Sequence, residues 1–136
     1  MDGVILTPLK KIYNHSGDIF HGMKTTDKGY HGFGEAYFSC VNKGAIKGWK
    51  KHNRITLNLV VIIGEIQFVI FNGKNYFEAK LSMDNYQRLT VEAGLWVAFK
   101  GFSKKNILLN LANIEHDPNE CDVTNLDSFD YNWNKN

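Results

Sequence analysis

The sequence predicts an all-β fold, and three observations predict it. Short runs of β-branched and aromatic residues recur along the chain, turn residues separate them, and proline is confined to Pro8 and Pro118 near the two ends. Many short strands at regular spacing build a sandwich or a small barrel.

The strongest strands come past the first third of the chain. Residues 55–63 and 66–71 read as strands, with Gly64 as the turn or bulge between them. Asn72 and Gly73 mark a second turn, because only Gly and Asn accept positive φ cheaply, and 76–81 returns as the partner strand. Residues 83–87 then form a short turn, followed by strands near 88–91, 96–102 and 106–114. Long helices have little room.

Side chains two apart share a face of a strand. An unbroken pleat would put Lys50, His52, Thr56 and Asn58 on one side and Leu57, Leu59, Val61 and Ile63 on the other. In a barrel the apolar set packs on the second sheet, and the polar set lines a cavity, joined by Asn110 from the last long strand.

With 136 residues the chain makes one domain, 1–136. Charged residues are 22% of it, 43% is hydrophobic, and the net charge of +2 is too small for bulk nucleic-acid binding. The basic run Lys47, Lys50, Lys51, Arg54 is a local patch. Cys40 and Cys121 form no CxxC, as in a reduced cytoplasmic protein. The start lacks a signal-peptide core, and the longest apolar run, 57–63, is too short to cross a bilayer. We therefore expect no membrane partner and no nucleic acid.

Gly44, five residues, Lys50-Lys51-His52, Leu57 and Gly64 reproduce the spacing of the first cupin motif, a Gly, five residues, a His-x-His pair, a Glu and a Gly. The second motif, Pro-x-Gly-x-x-His, falls on Glu92 to Val97 and keeps Gly94. The chain thus resembles the cupins, which implies a cupin-type jelly-roll β-barrel. Three of the four cupin metal positions hold Lys50, Leu57 and Val97, and only His52 is a ligand. One imidazole beside an ammonium does not hold a divalent ion against water, so no metal and no cofactor are expected.

Among metal-free cupins the chain is similar to the dTDP-4-dehydrorhamnose 3,5-epimerase family. Its Gln-x-Asn-x-Ser stretch, Gly and Arg-Gly-Leu-His read here as Glu35, Tyr37, Ser39, Gly44, then Lys47, Gly48, Trp49, Lys50. Its ending, Tyr-Lys-x-Thr-x-x-Tyr-x-Pro-x-x-Glu, places Asn110 at the first Tyr, Pro118 at the Pro and Glu120 one place early for the acid. The chain also resembles the related 3,4-ketoisomerases, whose Arg-Gly-Phe-His-x-His-Lys-Lys aligns with residues 47–54 and makes His52 the second histidine of their pair. In the epimerase alignment the histidine base is replaced by Lys50 and the tyrosine acid by Asn110.

The resemblance implies a nucleotide-diphosphate sugar as partner, UDP- or dTDP-linked, and a homodimer. The first reading is an epimerase acting through an enolate on a 4-keto-6-deoxy hexose in O-antigen, lipopolysaccharide or other cell-surface polysaccharide biosynthesis. The alternatives are a 3,4-ketoisomerase on the same substrate class and a non-catalytic carbohydrate-binding cupin. His52 suits the base, since imidazole titrates near neutrality, and Lys50 the electrophile for the enolate. Asn110 donates hydrogen bonds but not protons, so Tyr37, another tyrosine or water would supply the acid. Lys47 and Arg54 suit the diphosphate, and Trp96 or Trp49 suits stacking on base or sugar. Glu35, Tyr37, Ser39, Asn58 and Asn110 complete the expected binding set, with Glu35 also open to an ion pair with the lysines. His15, His21, His31 and His116 show no ligand spacing, and the loop between His21 and His31 is either a cover for the cavity mouth or ordinary surface. Phe129, Tyr131 and Trp133 alternate, as in an arm that packs one face on a neighbour.

Overall fold

The computed structural model describes residues 1–135. Its strands are β1 (Val4–Pro8), β2 (Lys11–Ile12), β3 (Ile19–Phe20), β4 (Glu35–Cys40), β5 (Ile46–His52), β6 (Leu57–Ile63), β7 (Ile66–Phe71), β8 (Tyr76–Leu81), β9 (Gln87–Val91), β10 (Trp96–Gly101), β11 (Ile107–Ala112) and β12 (Cys121–Val123). Among the described residues the one helical element is a 3-10 turn, Leu126–Ser128.

Two five-stranded antiparallel sheets are ordered β1-β9-β6-β11-β4 and β12-β5-β10-β7-β8, and β2 pairs with β3 alone. From β4 onward the chain mostly alternates between the sheets, and only the β7–β8 hairpin keeps two consecutive strands in one of them. Polar residues far apart in sequence therefore meet at one end. This is the expected all-β jelly roll.

The core follows from alternation along each strand. Phe68 and Ile70 of β7, Leu57, Leu59 and Val61 of β6, Leu89 and Val91 of β9, Val97 of β10 and Leu108 of β11 pack in one cluster between the sheets. Each such side chain contributes about 1.5–3 kcal/mol when fully buried. Val69 and Ala98 point the other way and pack with Trp49 on the outer face of the second sheet.

Gly64 makes the β6–β7 turn that the sequence placed there. Its φ is 81°, and a Cβ would lie 2.2 Å from the Lys105 carbonyl oxygen. Asn106 ties the same corner: its Oδ1 accepts from the Glu65 and Ser103 N–H groups, and its Nδ2 donates to the Val41 and Ser103 carbonyls. At the next hairpin Asn72 Oδ1 accepts from the Lys74 and Asn75 N–H groups, beside Gly73 at φ 95°.

Two expectations are corrected, the unbroken pleat and the tail packed on a neighbour, and the alternatives left open for the 21–31 loop are decided. The pleat does not continue from Lys50 to Asn58, because the chain leaves the second sheet after His52 and enters the first at Leu57. Across that gap the N–H groups of Asn53, Arg54 and Ile55 turn onto one carboxylate oxygen of Glu120, and the face parity is lost. The loop between His21 and His31 lies over the outer face of the first sheet, away from the cavity. Buried Arg88 holds it through the Gly22 carbonyl (2.8 Å) and Asp27 (3.2 Å). The aromatic tail folds onto its own second sheet: Phe129 packs edge-on against Trp49 at 5.4 Å, Tyr131 meets Tyr76 at 5.2 Å, and Trp133 meets Trp49 at 6.0 Å. Those contacts occupy the alternate aromatics within one chain, so they are no sign of a second copy.

Candidate active site

Between the sheets, at the end where β5 leaves the barrel, lies a cavity of about 320 Å³. Leu57, Leu59, Val97, Phe99 and Leu108 give it an apolar floor. Polar groups enter from two walls: Lys47, Lys50 and His52 from β5, and Tyr37, Ser39 and Asn110 from β4 and β11. An apolar chamber with a few convergent polar groups is the usual form of a small-ligand site. Gly48 lines it too, at φ 133°, where a Cβ would sit 2.5 Å from that of Ala98. A side chain there would force β5 off β10.

His52 is the one imidazole of the lining, and a carboxylate holds it. Its Nδ1 lies 2.5 Å from Glu120 Oε1. Glu120 is only 3% exposed, and its Oε2 accepts from the backbone N–H groups of Asn53, Arg54 and Ile55. Burial by itself would raise the Glu120 pKa. The His52 hydrogen bond, the Arg54 and Ile55 donors and the nearby imidazole charge outweigh it and hold the carboxyl at about 2. An ionised carboxylate only accepts, so a proton sits on Nδ1, and a lone pair on Nε2 lets the ring act as a base.

Tyr37 and Asn110 are direct cross-strand partners in β4 and β11. Asn110 Nδ2 donates to the Tyr37 oxygen at 2.8 Å. The phenol is thereby an acceptor toward Asn110, and its own proton is available to a ligand. Asn110 is 2% exposed and among the described residues its Oδ1 has no hydrogen-bond partner, so a donor on a bound molecule would satisfy it. On β4, beside Tyr37, Ser39 accepts from Lys47 Nζ at 3.1 Å. Lys47 and Lys50 are exposed at the mouth.

Six of the ten residues expected in the site line this cavity, and four do not. Asn58 faces the outer side of its sheet, where its Nδ2 donates to the Gly29 carbonyl and its Oδ1 accepts from Thr90. The break at residues 53–56 turned it there. Trp96 points to the outer face, where it packs edge-on with Phe129 at 5.3 Å and lies under Lys51 at 5.2 Å. Trp49 borders the cavity, but it is fully buried, packs with the aromatic tail and donates its indole N–H to the Leu126 carbonyl. Arg54 pairs with Asp117 at 3.1 Å in solvent, and Glu35 stands at the start of β4 outside the lining.

Glu120 is the functional residue that linear spacing does not reveal. It lies 68 residues from His52, and its only signal is its place in the acid-bearing ending after Pro118.

The chain matches the model of the family described as "FdtA: WxcM-like, C-terminal" over residues 3–131. It belongs to that family. No curated protein matches the chain. Among solved structures, a dTDP sugar isomerase from Desulfovibrio desulfuricans G20 is 26% identical, with a TM-score of 0.89 over 93% of this chain and 87% of that one. The sugar 3,4-ketoisomerase QdtA from Thermoanaerobacterium thermosaccharolyticum, in complex with TDP, is 20% identical, with a TM-score of 0.81 over 93% and 91%. The 3'-monoepimerase ChmJ from Streptomyces bikiniensis, in complex with dTDP-quinovose, is 14% identical, with a TM-score of 0.83 over 91% and 70%. These structures share the chain's fold, and the cupin-type fold expected from the sequence holds for this member of the family. Among the described residues, no helix is long and apolar enough to cross a membrane.

Proposed function

We propose that the chain is a 3,4-ketoisomerase of a dTDP-linked 4-keto-6-deoxy hexose, with His52 as its base. The observation that carries this reading is the His52–Glu120 pair opening onto the cavity. It supplies a single base able to take a proton from one carbon and return it to the next. The similarity to the dTDP sugar isomerase, which spans most of both chains, supports the substrate class.

His52 Nε2 takes the proton from carbon 3 beside the ketone, and the electron pair moves through the carbon 3–carbon 4 bond onto the carbonyl oxygen. Tyr37 donates its hydroxyl hydrogen bond to that oxygen as charge develops, and Lys50 adds a positive field from the mouth. The oxygen at carbon 4 is protonated while the hydroxyl at carbon 3 loses its proton, with Tyr37 or water as the relay. The imidazolium returns its proton to carbon 4. The ketone has then moved by one carbon, and neither face of the ring needs a second base. Glu120 keeps the imidazolium paired throughout, which a histidine without its carboxylate would lack. Lys47 binds the diphosphate, and Ser39 fixes its ammonium.

Epimerisation is the second reading, and one observation favours it. Tyr37 enters from the first sheet and His52 from the second, so a sugar held between them presents opposite ring faces to the two groups. Incubation with the dTDP-linked 4-keto sugar in deuterated water separates the readings by the ring-proton spectrum. Deuterium at one carbon with migration of the carbonyl supports the isomerase. Inversion with the ketone in place replaces it with the epimerase, and binding without exchange leaves a carbohydrate-binding cupin. A role in cell-surface polysaccharide synthesis belongs to this proposal through the family resemblance.

A further inference from the structure

We propose that His52, Glu120 and Cys121 form a zinc site, and that zinc bound there switches off the base. The binding half stands on geometry and donor chemistry alone. The inhibition rests on the catalytic reading of His52.

Cys121 opens β12 and is the direct cross-strand partner of His52 in β5. One donor atom each from His52, Glu120 and Cys121 lies within 4.8 Å of the other two. Thiolate, imidazole and carboxylate together select a borderline-soft ion: zinc takes all three, whereas magnesium and calcium take oxygen and avoid sulfur. Of the positions that bind metal in cupins, only His52 takes part. Lys50, Leu57 and Val97 contribute no donor, so this is a different set on the same scaffold.

The carboxylate arm is already in place. Three backbone N–H groups fix Glu120 Oε2, which leaves Oε1 directed at the His52 ring. Tetrahedral zinc with bonds of about 2.0–2.3 Å needs its donors roughly 3.3–3.7 Å apart. The His52–Glu120 contact would therefore open slightly from 2.5 Å, and the Cys121 sulfur would move in by about an ångström. Cys121 is only partly exposed and Glu120 is buried, so few waters compete. A water or a ligand oxygen completes the shell.

The protons balance simply. The Cys121 thiol releases its proton to solvent on forming the sulfur–zinc bond. Zinc takes the place of the proton on His52 Nδ1, and that proton is carried by Nε2 in the bound form. An imidazole metallated at Nδ1 and protonated at Nε2 has no lone pair for the substrate. Zinc would thus act by imposing the wrong tautomer, without filling the cavity.

The test uses the full, reduced chain and zinc chloride. Calorimetric titration should give one zinc per chain for the wild type and for Cys40→Ser, whose thiol lies on β4. Cys121→Ala, and independently Cys121→Ser, should weaken binding at least about tenfold, the scale seen when a metal site loses part of its support. Zinc should also protect one of the two thiols from a thiol-reactive dye. Turnover of the wild type should fall with zinc and recover with chelator, whereas Cys121→Ala should keep its basal rate and resist the same zinc concentration. Absence of stoichiometric binding, or binding unchanged in both Cys121 variants, overturns the site. Zinc binding that requires Cys121 but leaves turnover intact overturns the inhibition, and it would count against His52 as the base while the site stands.

Discussion

The two faces of the second sheet are built to opposite rules. On its outer face Trp49, Phe71, Tyr76, Phe129, Tyr131 and Trp133 close over one another in tilted and edge-on contacts, and the Trp49 indole donates to the Leu126 carbonyl. Its inner face looks into the cavity, where His52 of this sheet meets Tyr37 and Asn110 of the first sheet, and among the described residues the Asn110 Oδ1 has no partner. The outer face is closed by ring packing, which holds the molecule together even though the Trp133 indole N–H finds no partner among the described residues. The cavity is open, so its unpartnered Asn110 oxygen and the polar groups around it are within reach of a ligand that can complete them.

Substitutions at the cavity should therefore act first on activity and those on the outer face on stability, with Glu120 contributing to both. The largest effect belongs to the paired base: His52→Ala and Glu120→Gln should each lower turnover by about 100- to 10,000-fold, measured by carbonyl migration. Glu120→Gln turns its amide N–H toward Nδ1 and so moves the imidazole proton to Nε2. Rates near normal in either variant would erase the distinction between the faces.

The same carboxylate gives the comparison a pH axis. Glu120 titrates at about 2 in the folded chain, below its ordinary 4.5, so the folded state favours its ionised form. The stability it contributes is complete above pH 4.5 and drains away as pH falls toward 2. Thermal melts of the wild type should drop across that interval more steeply than those of Glu120→Gln, which has no proton to gain there.

On the outer face Phe129→Ala removes ring contacts to Trp49, Phe71 and Trp96. It should destabilise the chain by about 2 kcal/mol in denaturant titration, less than a fully buried Phe, while turnover of the folded fraction is unchanged. The smallest effect is expected at Lys50. Its ammonium stands exposed at the mouth, where water screens its field, so Lys50→Ala should lower turnover only about tenfold.

What was legible in the sequence was what depends on near neighbours. The strands at 66–71 and 76–81 and the turns at Gly64 and Asn72–Gly73 follow from local patterning and local dihedral chemistry. The edge strand β1, paired with β9, and the short β12, paired with β5, carry little pattern of their own, because their partners lie far along the chain. At the site β5 contributed through alternation, since Lys50 and His52 share a face as period two requires, whereas Tyr37 and Ser39 were reached through the family motif. Asn58 did not follow, because alternation carries no information across a change of sheet. Glu120 was hidden for the same reason as β12: its pairing with His52 is made by the barrel, and neither residue's neighbours hint at the other. The alternating tail aromatics were visible, but a period of two does not say which surface they cover.

The most direct measurement is the tautomer of His52, read from the nitrogen NMR shifts of its ring in the ligand-free chain at neutral pH. A proton on Nδ1, shared with Glu120, and a bare Nε2 are the result predicted here, with the pattern inverted in Glu120→Gln. A proton on Nε2 in the wild type, or a ring indifferent to Glu120→Gln, would contradict it.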